Sequence, residues 1–521
     1  MVRFPRHRIR QSESKTLALD EGSISQNNKA DMLSSQLEQN LAALRNILGS
    51  SNDIIIREFS LGYDHSIHGA IIFLDGLVDI VTINDNLMKS LMYDTYLIPH
   101  QDTTDLSDIS AVKKNLISIG DVQQTSLLND VVDKIMAGNT LLFIDNSSEA
   151  LVISTKKWEK RSVEEPQTET VVRGPREGFS ETLRVNTSLL RRKIRNRNLC
   201  LENLTIGEQT KTDICIVYIK GLVNPKLIKE IRTRMQEIST DAILESGYIE
   251  AFIEDAPYSI FSTVGNSEKP DVVAAKILEG RAAILVDGTP FVLTVPMLFL
   301  ESFQSAEDYY SRPFYSSFIR LIRFGAYLSS ILAPASYVAL STFHQELIPT
   351  KLLFTMAAGR EGVPFPAVAE ALIMMLTFDI LREAGVRLPR PVGSAVSIVG
   401  ALVLGQAAVS AGLITPLMVI VVAFTAIASF VVPPQTDSAS ILRYALLVLA
   451  GIAGGFGILM GLLVTFIHLA SLRSFGTPYM SPIAPVTLED LKDTFIRMPL
   501  WAMFTRPRTI GWHNLKRQKA K

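Results

Sequence analysis

The chain has 521 residues, too many for one ordinary hydrophobic core, so two or more domains are expected. Its 51 Lys and Arg stand against 52 Asp and Glu, a net charge of −1 that gives no basis for a nucleic-acid partner. The only cysteines are Cys200 and Cys215, with no CxxC and no His cluster beside them, so neither a disulfide framework nor a zinc site is expected. Charge is unevenly spread: residues 1–320 hold most of it, whereas 324–472 are dominated by Leu, Ile, Val, Ala, Gly and Phe. The averages therefore cover a soluble half and a membrane half.

The N-terminus, MVRFPRHRIRQSESK, is basic but runs into polar sequence without an apolar stretch. It is not read as a secretory signal, and the N-terminal region is expected in the cytoplasm. Residues 1–50 read as a polar tail and one amphipathic helix carrying Leu33, Leu37, Leu41, Leu44 and Leu48 at helical spacing.

A strand then leads to AIIFLDGLVDIVTINDNLMKSLM, where an apolar run meets Gly76 and passes into a helical pattern. The arrangement returns at CIVYIKGLVNPKLIKEIRTRM around Gly221. Likewise AGNTLLFIDNSSEALVIS is echoed by LEGRAAILVDGTPFVLTV, both hairpin-like with Asp145 and Asp287 at the turns. The offsets, 221 − 76 = 145 and 287 − 145 = 142, nearly agree and argue for duplication. Two related α/β subdomains are expected, over 51–160 and 211–300. Gly76 and Gly221 most simply end strands where the backbone turns tightly; no GxGxxG or P-loop spacing surrounds them.

Between them, 161–210 forms a basic linker. Arg173, Arg176 and Glu177 make a compact charged turn, VRGPREGF, and Arg191, Arg192, Lys193, Arg195 and Arg197 follow on a helix. Such a run could meet anionic lipid or an acidic partner; a solvated linker helix reads equally well.

The membrane domain is expected over 301–475. A first span at 319–343 starts from the basic flank Arg320 and Arg323, expected on the cytoplasmic side, and contains Pro334. Further spans are read at 391–412, 413–432 and 440–472, the last bent at Gly454 and Gly455, with a cytoplasmic tail at 476–521. The stretch PFPAVAEALIMMLTFDILREAG, opening on Pro364 and Pro366, is a partial or fifth span over 365–381. The basic loop at 382–391 and the basic tail cannot both lie in the cytoplasm with simple hairpins, so this segment decides the parity. Its acids, Glu370 and Asp379, are nine residues apart and project from opposite helix faces, which argues against a paired proton relay.

Ser394, Ser397, Ala401, Leu404 and Ala408 repeat on one helical face, with Val403 beside it. Small residues at one end and an apolar collar at the other suit a pore gated by dewetting; close helix packing is the competing reading. The seven His residues are scattered, so no catalytic residues, cofactor or metal are expected.

VRGPREGF (172–179), NTSLLRRKIR (186–195), EGVPFP (361–366), LREAGVRLPRPVG (381–393), PPQTD (433–437) and FGTPYMSPIAP (475–485) together resemble the A-subunit family of GerA-type spore germinant receptors, over roughly 50–490. The resemblance implies an α/β cytosolic region of two related subdomains followed by an α-helical polytopic membrane domain in the spore inner membrane. It implies a transporter-like B subunit and a lipoprotein C subunit as partners. It also implies a homo-oligomer, plausibly a pentamer, that forms a nutrient-gated cation channel within membrane lipids. A non-conducting signalling scaffold, or a relative accompanying the dipicolinic acid channel, is the alternative. Arg173, Arg176, Glu177, Pro364 and Pro366 are the interface or signalling candidates.

Overall fold

The computed structural model describes residues 32–48, 51–61, 67–93, 109–157, 166, 168–388, 403, 405–511 and 516–518. They fall into two units, Met1–Trp158 with Arg195–Arg197, and Glu159–Ile194 with Asn198–Lys521.

The first unit is built on an antiparallel sheet of β1 (Ile54–Leu61), β2 (Ile67–Leu74), β3 (Val122–Thr125), β4 (Thr140–Ile144) and β5 (Ala150–Ile153), in the order β1-β2-β4-β5-β3. Its central strands are buried without alternation: every residue of β4 and β5 is shielded. Helices therefore cover both faces, because a strand greasy on both sides must bury both. On one face lie α1 (Leu37–Leu48) and α2 (Leu128–Met136), through Leu41, Leu44, Val131 and Ile135. On the other, the helical turns between Ile80 and Met92 and the helix Ile109–Asn115 bring Ile83, Leu87 and Val112.

The second unit repeats this plan. After α3 (Leu183–Lys193) come β6 (Leu199–Ile206), β7 (Thr212–Ile219), α4 (Pro225–Glu237), α5 (Ser246–Ile253), β8 (Gly265–Ser267), α6 (Pro270–Glu279), β9 (Ala282–Val286) and β10 (Val292–Val295). The strand order is β6-β7-β9-β10-β8, again antiparallel. Each sheet opens on a hairpin of eight residue pairs, Ile54↔Leu74 to Leu61↔Ile67 and Leu199↔Ile219 to Ile206↔Thr212. Gly76 and Gly221 follow the second strand with φ of 85° and 83°, values a side chain would resist. Cys200 and Cys215 are buried in this sheet and form no disulfide.

The second sheet continues into helices. A 3-10 turn (Phe299–Phe303) and the short α7 (Glu307–Tyr310) lead to α8 (Pro313–Thr342), α9 (Thr350–Arg360), α10 (Ala367–Arg387), α11 (Pro416–Ser429) and α12 (Thr436–Ser471). Among the described residues two helical stretches, Pro313–Thr342 and Pro433–Ser471, are long and apolar enough to cross a membrane. From Ala367 on, the 365–381 stretch lies in one helix, α10, that runs to Arg387, and α11 is shorter than the 413–432 expectation. Pro334 sits inside α8, which runs through it. α12 breaks at Gly454 (φ 60°, ψ −137°), where a Cβ would lie 2.8 Å from Phe343. The freed N–H of Gly455 donates to His344 Nε2 at 3.1 Å, so the break is capped from a neighbouring helix end. One core joins Phe261, Phe299 and Phe303 of the module's end to Tyr327, Ile331 and Leu446 of the helices.

Candidate functional site

The place where α8 meets the second module holds a buried ionic cluster. Asp308, on α7, accepts from Arg320 Nε at 2.8 Å and from Arg323 Nη1 at 2.8 Å. Arg320 is wholly buried, and its Nη1 donates to Asp493 Oδ1 at 2.8 Å and to the Asp493 carbonyl at 2.9 Å. Asp493 also accepts from the Tyr309 hydroxyl at 2.9 Å, while Arg497 donates to the Ser311 and Tyr309 carbonyls at 3.4 and 3.3 Å. A buried guanidinium is tolerable only when paired, and Arg320 Nε and Nη1 bind a short helix before α8 and a turn after α12, while Nη2 has no hydrogen-bond partner among the described residues. The basic flank read from the sequence is thus not a freely solvated flank: Arg320 is consumed internally.

A second cluster lies alongside. Arg281, at the entry to β9, donates to the Pro296 carbonyl at 2.7 Å and pairs with Glu301 and, at 3.4 Å, with Glu279. Lys276, on α6, donates to Thr294 Oγ1 at 3.1 Å and stands 3.7 Å from Glu301. Burial lowers the Lys276 ammonium from its usual range and raises the Glu279 carboxyl. Glu169, which accepts from Ser267 Oγ at 2.6 Å, is raised by burial too. These side chains line a cavity of about 330 Å³ with Tyr309 and Tyr310. Glu301 sits on the 3-10 turn between the sheet and α7 and faces both Arg281 and Lys276.

The charged turn read from the sequence packs here. Gly174 faces the Tyr310 ring, where a Cβ would approach to 2.8 Å, and Lys269 Nζ donates to the Pro175 carbonyl at 2.8 Å. Tyr310 in turn donates to Asp271 at 2.5 Å. Arg173 and Arg176 are exposed; Glu177 pairs with Arg192 at 3.1 Å and Lys193 at 3.5 Å, tying the turn to α3.

Glu370 and Asp379, the acids expected in the membrane, go to different helices. Glu370 is buried on α10 and accepts from the backbone N–H of Thr415, the N-cap of α11; its Oε2 has no hydrogen-bond partner among the described residues. Asp379 accepts from Tyr444 at 2.5 Å and from Arg443 at 3.2 Å, with Arg382 at 3.5 Å, and so fastens α10 to α12. Pro364 and Pro366 are exposed, Pro366 as the N-cap of α10. Of the pore candidates, Ser394, Ser397, Ala401 and Leu404 lie outside the described residues. Val403 is exposed, and Ala408 lines an apolar cleft of about 240 Å³ between α10 and α11. Among the described residues no group of three or more His, Cys, Asp or Glu is placed to hold a metal.

Sequence reasoning missed Asp308, Asp493, Arg443 and the Lys276–Glu301–Arg281 set. Arg320 and Arg443, cations within apolar stretches, were the available signal; their partners lie 173 and 64 positions away.

Comparison with known proteins gives the family of the chain. The family described as Bacillus/Clostridium GerA spore germination protein matches residues 42–509. The chain belongs to this GerA family. It is 48% identical over 489 residues to spore germination protein KA of Bacillus subtilis, covering 94% of this chain and 89% of that protein. It is 43% identical over 491 residues to the uncharacterized membrane protein YfkQ of the same organism, covering 94% of both. The crystal structure of the N-terminal domain of the A subunit of the Bacillus megaterium spore germinant receptor GerK3 matches at 36% identity with a TM-score of 0.41, over 51% of this chain and 97% of that one. As a member of this family the chain is involved in spore germination.

Proposed function

We propose that this GerA-family chain is the membrane subunit of a nutrient germinant receptor, and that several copies, with a transporter-like B subunit and a lipoprotein C subunit, form a nutrient-gated cation channel in the spore inner membrane. The α/β modules lie in the cytoplasm and the apolar helices form a multi-pass membrane domain. The observation that carries this reading is the buried junction through Glu301, Asp308, Arg320 and Asp493. A charge set buried between a soluble module and an apolar helix transmits movement, because separating its members leaves uncompensated charge and the parts therefore move together.

The face carrying Ser394, Ser397, Ala401, Leu404 and Ala408 is the conducting path in this proposal, with Val403 and Leu404 at its collar. The test is nutrient-triggered K⁺ release from spores carrying Val403→Ser or Leu404→Ser. Altered conductance or spontaneous release supports the channel. Unchanged permeability with germination retained assigns the chain to the non-conducting scaffold instead.

A further inference from the structure

The C-terminal segment 493–501 has inverted polarity. Asp493, Thr494 and Arg497 turn inward to the Arg320 cluster and Phe495 packs on Phe324, whereas Ile496, Met498, Leu500 and Trp501 are exposed, Trp501 to 70%. A segment resting in water shows the reverse pattern. Its position along α8 is fixed by contacts. Arg497 N–H donates to Ser317 Oγ at 3.0 Å, Asp493 meets Arg320, and the Phe495 ring lies 4.6 Å from that of Phe324. The segment therefore stands level with the first three turns of α8.

Those turns are themselves apolar on the outside. Phe314, Tyr315, Phe318, Leu321 and Ile322 are exposed and share one helical face, which continues upward through Leu328. Arg312 is exposed just before them, and the exposed Lys516 is held near this segment by Gln518, whose Nε2 donates to the carbonyls of Leu500 and Met503 at 2.5 and 3.1 Å; Arg517 instead lines the cavity with Glu279. Aromatic and apolar side chains bordered by cations at the start of an apolar helix match the boundary of an anionic bilayer, where Trp and Tyr settle at the headgroup level and Lys and Arg meet lipid phosphate.

We infer that residues 495–501, with the outer face of the first turns of α8, form a collar seated in the headgroup region of an anionic lipid surface. The collar sets the depth of α8, and the Arg320 cluster holds it there. The cationic rim and the continuity with the outer face of α8 favour lipid over a second copy of the chain. The inference rests on the reading of α8 as a membrane span.

The test places the full chain in lipid nanodiscs containing phosphatidylglycerol, with Trp158→Phe and Trp512→Phe leaving Trp501 as the reporter. Trp501 is expected to lose about half its emission to a spin label near the lipid headgroup and little to one near the chain terminus. In a second chain, with all three tryptophans changed to Phe and Leu328→Trp introduced, the deep label is expected to quench more. A quenched Leu328→Trp with an unquenched Trp501 overturns the collar while the span stands, and is the result expected if a second copy covers the segment. An unquenched Leu328→Trp overturns the span and the collar with it. Equal quenching of Trp501 in discs of phosphatidylcholine alone overturns the assignment to an anionic surface, and Arg312→Gln with Lys516→Gln is expected to lower quenching in phosphatidylglycerol to the phosphatidylcholine level.

Discussion

The two α/β modules share one strand order and one pair of turn glycines, yet they handle charge differently. In the first module, Arg45 pairs with Glu58 at 2.7 Å with both side chains more than half exposed. In the second, Arg281 and Glu301 pair with side chains only 3% and 11% exposed, and Glu301 stands on the turn that leads to α7 and α8. The same scaffold thus carries a solvated ion pair in one copy and a buried ionic bridge in the other. Fold topology depends on where apolar residues repeat; what a module couples to depends on a few charges placed at its edge.

Mutations grade this contrast. The largest effect is expected from Arg320→Ala, which strips Asp308 and Asp493 of a buried counter-ion and should cost about 3–5 kcal/mol. Thermal unfolding of the full chain in detergent measures it, and spores carrying the variant should fail to respond to nutrient. Preserved stability would show that the cluster is solvated and that α8 is not held through it. Glu301→Gln keeps the shape of the bridge but removes its charge, with an expected loss of about 2 kcal/mol. Nutrient response should fall more than stability does; an equal response with wild-type kinetics would break the claim that movement passes through Glu301.

Within the helices, Asp379→Asn weakens the tie between α10 and α12 at Arg443 and Tyr444, an expected cost of about 1–2 kcal/mol, seen as a lowered unfolding temperature. The smallest effect belongs to the first module: Arg45→Ala should change stability by about 0.2–1 kcal/mol, less at high salt, because an exposed pair gains little over water. A larger loss there would erase the distinction between the two copies.

The sequence alone determined the repeated plan. Apolar runs such as AIIFL and CIVYI, each closed by a glycine, specify strands and a tight turn through local sterics and burial, so Gly76 and Gly221 were legible as strand ends. The helical face of α1, the long apolar stretches of α8 and α12 and the break at Gly454 were legible on the same grounds. Their opposite faces likewise separated Glu370 from Asp379, which reach α11 and α12 respectively. Only the tertiary structure decided what those charges do. Arg320 reads in the sequence as a basic flank, because flanking cations and buried ones look alike until a partner is known. Its partners Asp308 and Asp493 lie 12 and 173 positions away, and nothing local marks Asp493. Periodicity is written along the chain; electrostatic pairing is a property of distance in space, and the fold alone brings those carboxylates within reach of the guanidinium.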